Sequence, residues 1–548
     1  VKGEGETTVQ SDQLFVRQAT GLVRSWSVFD AFIYAFFSVN LVTLGFYIFS
    51  FAPYVPDGHL VPAVLISSVF VLFMIVVYAT LISVMPRSGG DYVWQSRILN
   101  PGIGFVLAFT GWVVILWHWV PLYGDMLAWN VFAPILVTLS GMTGNQSYID
   151  AAIWLYTPNG SLFSSMFVIA LAFIYVGVGM RWYARIQKTC FFIAITGLVI
   201  MLGLMLAATR TDFVARFNAY TQSLFGTGTA DAYQQIIAAS AQAGYDPVAW
   251  SSMAIIPSLA LIPMVLFFNL WPNWGATLYG EIRGASEFRR NFAGMAAALI
   301  ATAILAVIFF ALVARTFGWE FYHAANFTFY EGTSPLPVFP YPGLLAAFLT
   351  DSPFLQLLLL LAMSAWFFGW CGTVFLSSTR VIFAAAFDRL LPEWISRVSV
   401  RTRSPINALI VMTVPSIIIS SIYAYSMTFV EMALATTLVI SGAYVGTTIA
   451  AIILPYRMPD LYNSSPVAKY KVFGLPLVTV SGVIFLAFMA CVFYVWLTDP
   501  TYGLASLTSY AYMGVLYLIS LTVFLVSRWY RMKQGIDMNK VYGSIPAE

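Results

Sequence analysis

Apolar residues run along this chain in long unbroken stretches separated by short polar turns. They show neither the two-residue alternation of a half-buried strand nor the narrow stripe of a surface helix. A helix needs about 20 mainly apolar residues to cross about 30 Å of hydrocarbon. Stretches that meet this need lie near 28–52, 60–85, 101–129, 162–180, 186–209 and 252–280. Six more lie near 290–316, 354–387, 403–424, 428–454, 473–498 and 507–530. The third stays apolar to about 140, interrupted by Pro121 and Pro134, so its far end is open. The pattern predicts an all-α polytopic membrane protein with twelve transmembrane helices. A membrane β-barrel is excluded, because its strands would alternate with a period of two.

Composition agrees. Of 548 residues, 60% are hydrophobic and 9% charged, against about 25% charged in soluble proteins. Such a chain cannot cover itself with water-facing side chains, so its main solvent is the lipid bilayer. The distribution of charge then gives an orientation. Twelve spans put both termini on one side, and with both in the cytoplasm 23 of the 26 Lys and Arg residues fall in cytoplasmic segments. Arg210, Arg216 and Arg315 remain outside, where Asp150, Asp212, Asp231 and Asp246 also lie. The positive-inside rule therefore predicts a cell (plasma or cytoplasmic) membrane protein with cytoplasmic segments at 1–27 and 531–548. Residues 1–24 lack the apolar core and cleavage site of a signal peptide, so the first span is expected to direct insertion.

Several function classes drop out. The outer loops near 130–161, 210–251 and 317–353 are not of domain size, which leaves no place for an ATPase or kinase domain. The glycine-rich LSGMTG at 139–144 lacks the lysine of a phosphate-binding loop. Cys190, Cys371 and Cys491 stand alone in apolar runs, so neither disulfides nor a metal site is indicated, and no cofactor is implied. No basic run with interleaved aromatics suggests nucleic acid. HExxH, G-x-S-x-G and paired midplane carboxylates are all missing, which argues against an enzyme.

Three motifs carry more information. MPRSGGDYVWQSRILNPGIGF (Met85 to Phe105) has Pro86 to end a helix, Gly89-Gly90 for a tight turn, and Arg87 and Arg97 to hold the turn inside. SSTRVIFAAAFDRLLPEWISRVSVRTRSPINALI (Ser377 to Ile410) spaces Arg380, Asp388-Arg389, Leu391-Pro392 and Pro405. The third is YGEIRGASEFRRN at 279–291. Together with the twelve-span layout, these resemble permeases of the amino acid–polyamine–organocation (APC) superfamily. The resemblance implies two inverted five-helix repeats, here 28–209 and 252–454, separated by an outer loop at 210–251 and followed by two peripheral helices within 473–530. It also implies secondary transport of amino acids or related amines.

Transporters hold solute near the midplane, between repeats, at interrupted helices. The first helix of each repeat should therefore be broken. In the sixth helix the break falls in FFNLWPNWG (Phe267 to Gly275), and in the first at SVNLVTLGF (Ser38 to Phe46), through Asn40, Thr43 and Gly45. Two features depart from the family. Only one glycine of its Gly-x-Gly pattern in helix one is retained. In helix six, Trp271 stands near the usual glycine and Asn273 near the usual acid.

Each candidate has a functional and a bland reading. Asn269 and Asn273 are four apart and would share a face of a continuous helix. Pro272 would free carbonyls for a solute, or the segment is only a kink whose amides bond neighbouring helices. Trp271 and Trp274 would stack on solute or gate it, or simply pack. His118 and Asp125, seven apart on helix three, would lie about 10 Å apart along the axis and could exchange protons through water. The alternatives are a core histidine and an interfacial aspartate. Glu431 is an ion-coupling candidate or an interfacial residue one turn into helix ten. Lys188 resembles the lysine that replaces a sodium site in proton-coupled relatives, or it anchors helix five. Ser377 and Ser378 would offer hydroxyls to Na+, or permit close packing. Asp30, Glu281, Arg283, Arg380 and Asp388 are inner-gate pairs or anchors. Asn145-Gln-Ser147 and Asn326-Phe-Thr328 are glycosylation sequons in predicted outer loops.

The reading is a secondary active transporter for an amino acid, amine or related small organic solute. It would work by alternating access, coupled to H+ or Na+ or as an exchanger, in an oligomeric state the sequence leaves open. The competing reading, prompted by the eroded glycine motif, is a transport-inactive membrane subunit acting as scaffold or sensor.

Overall fold

The computed structural model describes residues 22, 24–55, 57–226, 231–502, 507–543 and 545. The side chains at 427, 428 and 430–437 lie outside the described residues, Glu431 among them, as does most of the N-terminal segment 1–27. Among the described residues, eleven helices are long and apolar enough to cross a membrane. These are α1 (Val28–Phe49), α2 (Leu60–Val84), α3 (Pro101–Thr143), α4 (Pro158–Gly177) and α5 (Met180–Ala207). After the interrupted α6 (Ile262–Asn269 and Trp274–Glu281) come α7 (Phe288–Tyr330), α8 (Pro353–Phe387), α9 (Ile406–Tyr425) and α10 (Met427–Arg457). α11 (Leu477–Thr498) and α12 (Leu507–Lys533) complete the bundle. A single hairpin, β1 (Lys471–Val472) and β2 (Leu475–Pro476), precedes α11. The protein is an all-α polytopic membrane protein.

α6 falls short of the expected 252–280 because its helical ladder stops at Asn269 and resumes as a 3-10 helix at Trp274. Two other helices are longer than their apolar runs suggest. α3 continues past Pro121 and Pro134, with π-helical turns at Thr110–Val114 and Ala128–Phe132. Such turns add a residue and re-aim the side chains beyond them without ending the helix. α7 passes through a similar turn, Val313–Gly318, and takes up the start of the expected outer loop. The 210–251 loop also folds into helices, Arg210–Phe225 and Ala232–Gln242. Asp212 and Asp231, read as markers of sidedness, cap these helices by accepting hydrogen bonds at their N-termini.

Burial shows which helices line the centre. α1 is 94% buried over its most apolar window, whereas α5 and α12 are 28% buried there and face lipid. α1 packs on α7, α2 on α6, α7 and α11, α5 on α8, and α4 on α3 and α9.

Candidate functional site

The two interrupted helices meet near the middle of the bundle. α1 begins with a capping box in which Ser27 and Asp30 bond each other's backbone N–H. It stops at Asn40, whose φ is +38°, and resumes through a π-helical turn at Leu41–Gly45. Asn40 repairs the interruption itself. Its Oδ1 accepts from the Thr43 N–H at 2.9 Å, its Nδ2 donates to the Trp366 carbonyl at 3.2 Å, and its carbonyl accepts from the Gly45 N–H at 2.9 Å. Asn130 on α3 donates to the Thr43 carbonyl at 3.1 Å. Gly45 lets α6 approach, since a Cβ there would lie 3.2 Å from the Phe268 ring.

The break in α6 is arranged differently. Asn269 donates to Ser67 and Ser68 on α2 at 2.7 and 3.1 Å, which anchors the end of the outer half. Asn273 is fully buried, and neither atom of its amide forms a hydrogen bond. The two asparagines do not share a face, because the helix ends between them. The Trp271 indole donates to the Phe267 carbonyl at 2.5 Å, and that of Trp274 to the Thr373 carbonyl on α8 at 3.2 Å. Ser377 ties these elements together by bonding the Tyr34 hydroxyl at 2.9 Å and the Trp274 carbonyl at 3.2 Å. The Ser378 hydroxyl bonds only within its own helix, to Val374.

Aromatic rings enclose the break. The centroid of Trp119 lies 5.2 Å from Trp271, 5.9 Å from Trp274 and 5.2 Å from Phe267, and Tyr123 stacks on Trp370 at 3.7 Å. With Ser38 and Leu44 these rings line a cavity of about 10 Å³, and no lining side chain is ionisable as an acid or base near neutral pH. Phe267 also lines a wider recess of about 170 Å³ between α1, α6 and α11, toward the end that carries the acidic loops. At the opposite, basic end a recess of about 1020 Å³ reaches Ser25, Arg185, Glu281 and Arg403. There Arg380 Nε meets Glu281 Oε1 at 2.8 Å and Arg97 meets Asp388 at 2.6 Å, all four side chains at most 2% exposed. The sequence reading left such pairs open as gate or anchor; they bind α6, α8 and the 90–98 segment to one another.

Several expected residues lie elsewhere. His118 and Asp125 bond to different helices. The His118 Nδ1 faces the Val114 carbonyl at 2.8 Å and its Nε2 pairs with the Tyr512 hydroxyl on α12. Asp125 accepts from Ser161 on α4 at 2.6 Å and from Tyr423 on α9 at 2.9 Å. The neighbours of α3 change along its length, so one face in sequence becomes two environments. Lys188 Nζ pairs with Asp30 Oδ1 at 2.8 Å at the start of α1 and does not reach the break. Asn145 is exposed on a turn. Asn326 is not on a loop. It is 1% exposed within α7, its amide donating to the Tyr322 carbonyl at 2.8 Å, so a glycosylating enzyme could not reach it in this fold.

Sequence reasoning passed over Asp91, which is fully buried beside α6. Its Oδ1 accepts from the Tyr78 hydroxyl on α2 and the Thr447 hydroxyl on α10, both at 2.6 Å. The Gly89-Gly90 turn before it was the available signal, because it brings this segment against another backbone.

The sequence profile of the amino acid permease family matches residues 27–521. The chain belongs to this family. It is thus a multi-pass membrane transporter of amino acids or related solutes. Among curated proteins, no match is found.

Proposed function

We propose that this permease is a secondary active transporter for a small organic amine, working by alternating access at the α1–α6 break. The carrying observation is the aromatic cage at the α6 break, which contains no ionised side chain. Ring faces attract organic cations by about 0.5–2 kcal/mol each. The cage offers no carboxylate to an ammonium group, and the Thr43 and Gly45 amides of the α1 break are already bonded through Asn40. Asn273, between Trp271 and Trp274, has an amide with no formed hydrogen bond. An amine without an α-carboxylate fits this chemistry better than a zwitterionic amino acid.

The remaining features support the cycle. The ion pairs at the basic end would hold the inner half of α6 in place in one state of the cycle. The α1–α7 contact has its counterpart in α6–α2, and α5–α8 in α10–α3, as two inverted repeats would give. The protein would sit in the cell membrane with both termini in the cytoplasm, driven by H+ or Na+ or by exchange of one solute for another.

The test is a thermal-shift and proteoliposome comparison of choline, its uncharged isostere 3,3-dimethylbutan-1-ol, and alanine. A ligand at a hundredfold excess over its Kd stabilises by about 2.7 kcal/mol. Choline should stabilise and be taken up, with the isostere much weaker. Stabilisation by alanine alone would overturn the amine reading. Absence of uptake or exchange for every amine and amino acid tried would favour the scaffold or sensor.

A further inference from the structure

The segment that carries Asp91 is fastened to the inner half of α6. The Gly89 N–H donates to the Thr277 carbonyl at 2.9 Å. At Gly90, φ is +35° and a Cβ would lie 2.8 Å from the Ala276 carbonyl oxygen, so the two backbones touch and no larger residue fits. Asp91 therefore sits where any parting of the inner half of α6 from this segment must change its surroundings.

Its chemistry is unusual for a buried carboxylate. Among the described residues no cation pairs with it; the nearby arginines, Arg97 and Arg380, are engaged with Asp388 and Glu281. Tyr78 and Thr447 both donate to Oδ1, while the Trp112 indole N–H on α3 faces the carboxylate without closing to a full hydrogen bond on Oδ2. Around it stand further polar groups with no formed hydrogen bond: Gln95 Oε1, Thr277 Oγ1 and the Tyr444 hydroxyl on α10. That hydroxyl faces the Asn273 amide without a formed hydrogen bond. The titratable groups facing Asp91 are thus Tyr78 from α2 and Tyr444 from α10. α6 and α8 bring only the Glu281–Arg380 pair and Asp388, and its own segment Tyr92 and Arg97, which turn toward Asp388.

Each buried polar group left unpaired costs about 1–3 kcal/mol, so packing does not account for this cluster. Asp91 lies on the segment between α2 and α3, and burial pushes its carboxyl up to about 6, against the pull of Thr447, Tyr78, its own backbone N–H and the Trp112 indole.

We propose that Asp91 is the proton-binding group of this permease, taking up one proton on Oδ2 and releasing it when the inner half of α6 parts from residues 89–91. Neutral Asp91 needs no counter-ion and favours the closed packing. Ionised Asp91 favours the arrangement that admits water from the basic end. The coupling rests on the alternating-access reading above; the proton site itself does not.

Two measurements on the purified full-length protein separate these. Infrared difference spectra between about pH 8 and about pH 5 should show a protonated-carboxyl band that loses a component in Asp91→Asn. Tyr78→Phe, which deletes a donor to the ionised form, should keep the band and raise its midpoint by about one unit. A band unchanged in Asp91→Asn overturns the proposal. In proteoliposomes, a one-unit pH gradient should drive about tenfold accumulation of choline at one proton per solute. Asp91→Asn should only equilibrate choline while keeping counterflow within about twofold. Gradient-driven accumulation by Asp91→Asn equal to the wild type also overturns it. If the wild type moves neither choline nor amino acids, the transport reading fails, and the infrared result alone decides the proton site.

Discussion

The two interruptions occupy corresponding places in the chain but are finished in opposite ways. At the α1 break, Asn40 bonds Thr43, Trp366 and Gly45, so the polar groups freed there are answered within the protein. At the α6 break, Asn269 is anchored to α2 while the Asn273 amide is left open in the core. A self-satisfied interruption behaves as a wall, fixing the shape of the cavity. An interruption with an unanswered amide can gain from a solute, and so can respond to one. The difference assigns reception to α6 and support to α1, and it can be broken at three places.

The largest effect is expected where the inner half of α6 is locked. Arg380→Met leaves Glu281, 1% exposed, with no counter-charge. Removing one member of a buried pair costs about 3–5 kcal/mol, so thermal unfolding in detergent should show a large loss for the single variant. Arg380→Met combined with Glu281→Leu should recover most of it, because two apolar groups replace the pair without stranding a charge. A single variant as stable as the wild type would mean that the inner half of α6 is held by something else.

A smaller loss is expected at the wall. Asn40→Ala removes the cap on Thr43 and the bond to Trp366, and it places alanine at φ +38°. A lost cap costs about 1 kcal/mol and a left-handed non-glycine residue about 1–2 kcal/mol, which gives a loss of about 2–3 kcal/mol by the same unfolding measurement. Asn40→Gly keeps the backbone permissive and should lose less. If the two substitutions cost the same, the side-chain bonds and not the backbone conformation dominate at α1.

Why some of this was legible in the sequence follows from the solvent. Lipid demands continuous apolar runs, so the spans declare themselves, and a proline flanked by asparagines inside such a run marks the α6 break directly. Helix ends were less legible. The π-helical turns that carry α3 past its prolines and α7 to Tyr330 depend on packing and have no residue signature here. For that reason Asn326, placed in a loop by hydropathy, is helical and buried. His118 and Asp125 found different partners because helical spacing gives a shared face but not a shared neighbour. Asp91 was hidden for a related reason. A linear reading puts it in a turn between spans, and only Thr447, 356 positions away, makes it a buried carboxylate.

The smallest change in stability should come from the residue that matters most to the comparison. Asn273→Leu keeps the side-chain volume and removes an amide that forms no hydrogen bond. Deleting an unpaired buried polar group is near neutral or stabilising, so the unfolding temperature should stay level or rise, by the equivalent of no more than about 1 kcal/mol. Choline uptake should nonetheless collapse if the amide receives the solute. Asn269→Leu serves as the control, because it breaks bonds to Ser67 and Ser68 and should lose about 1–2 kcal/mol. A purely structural amide at 273 would give the reverse pattern, with stability lost and uptake by the folded fraction retained. That outcome would return the α6 break to the same category as the α1 break and remove the reason for assigning reception to either.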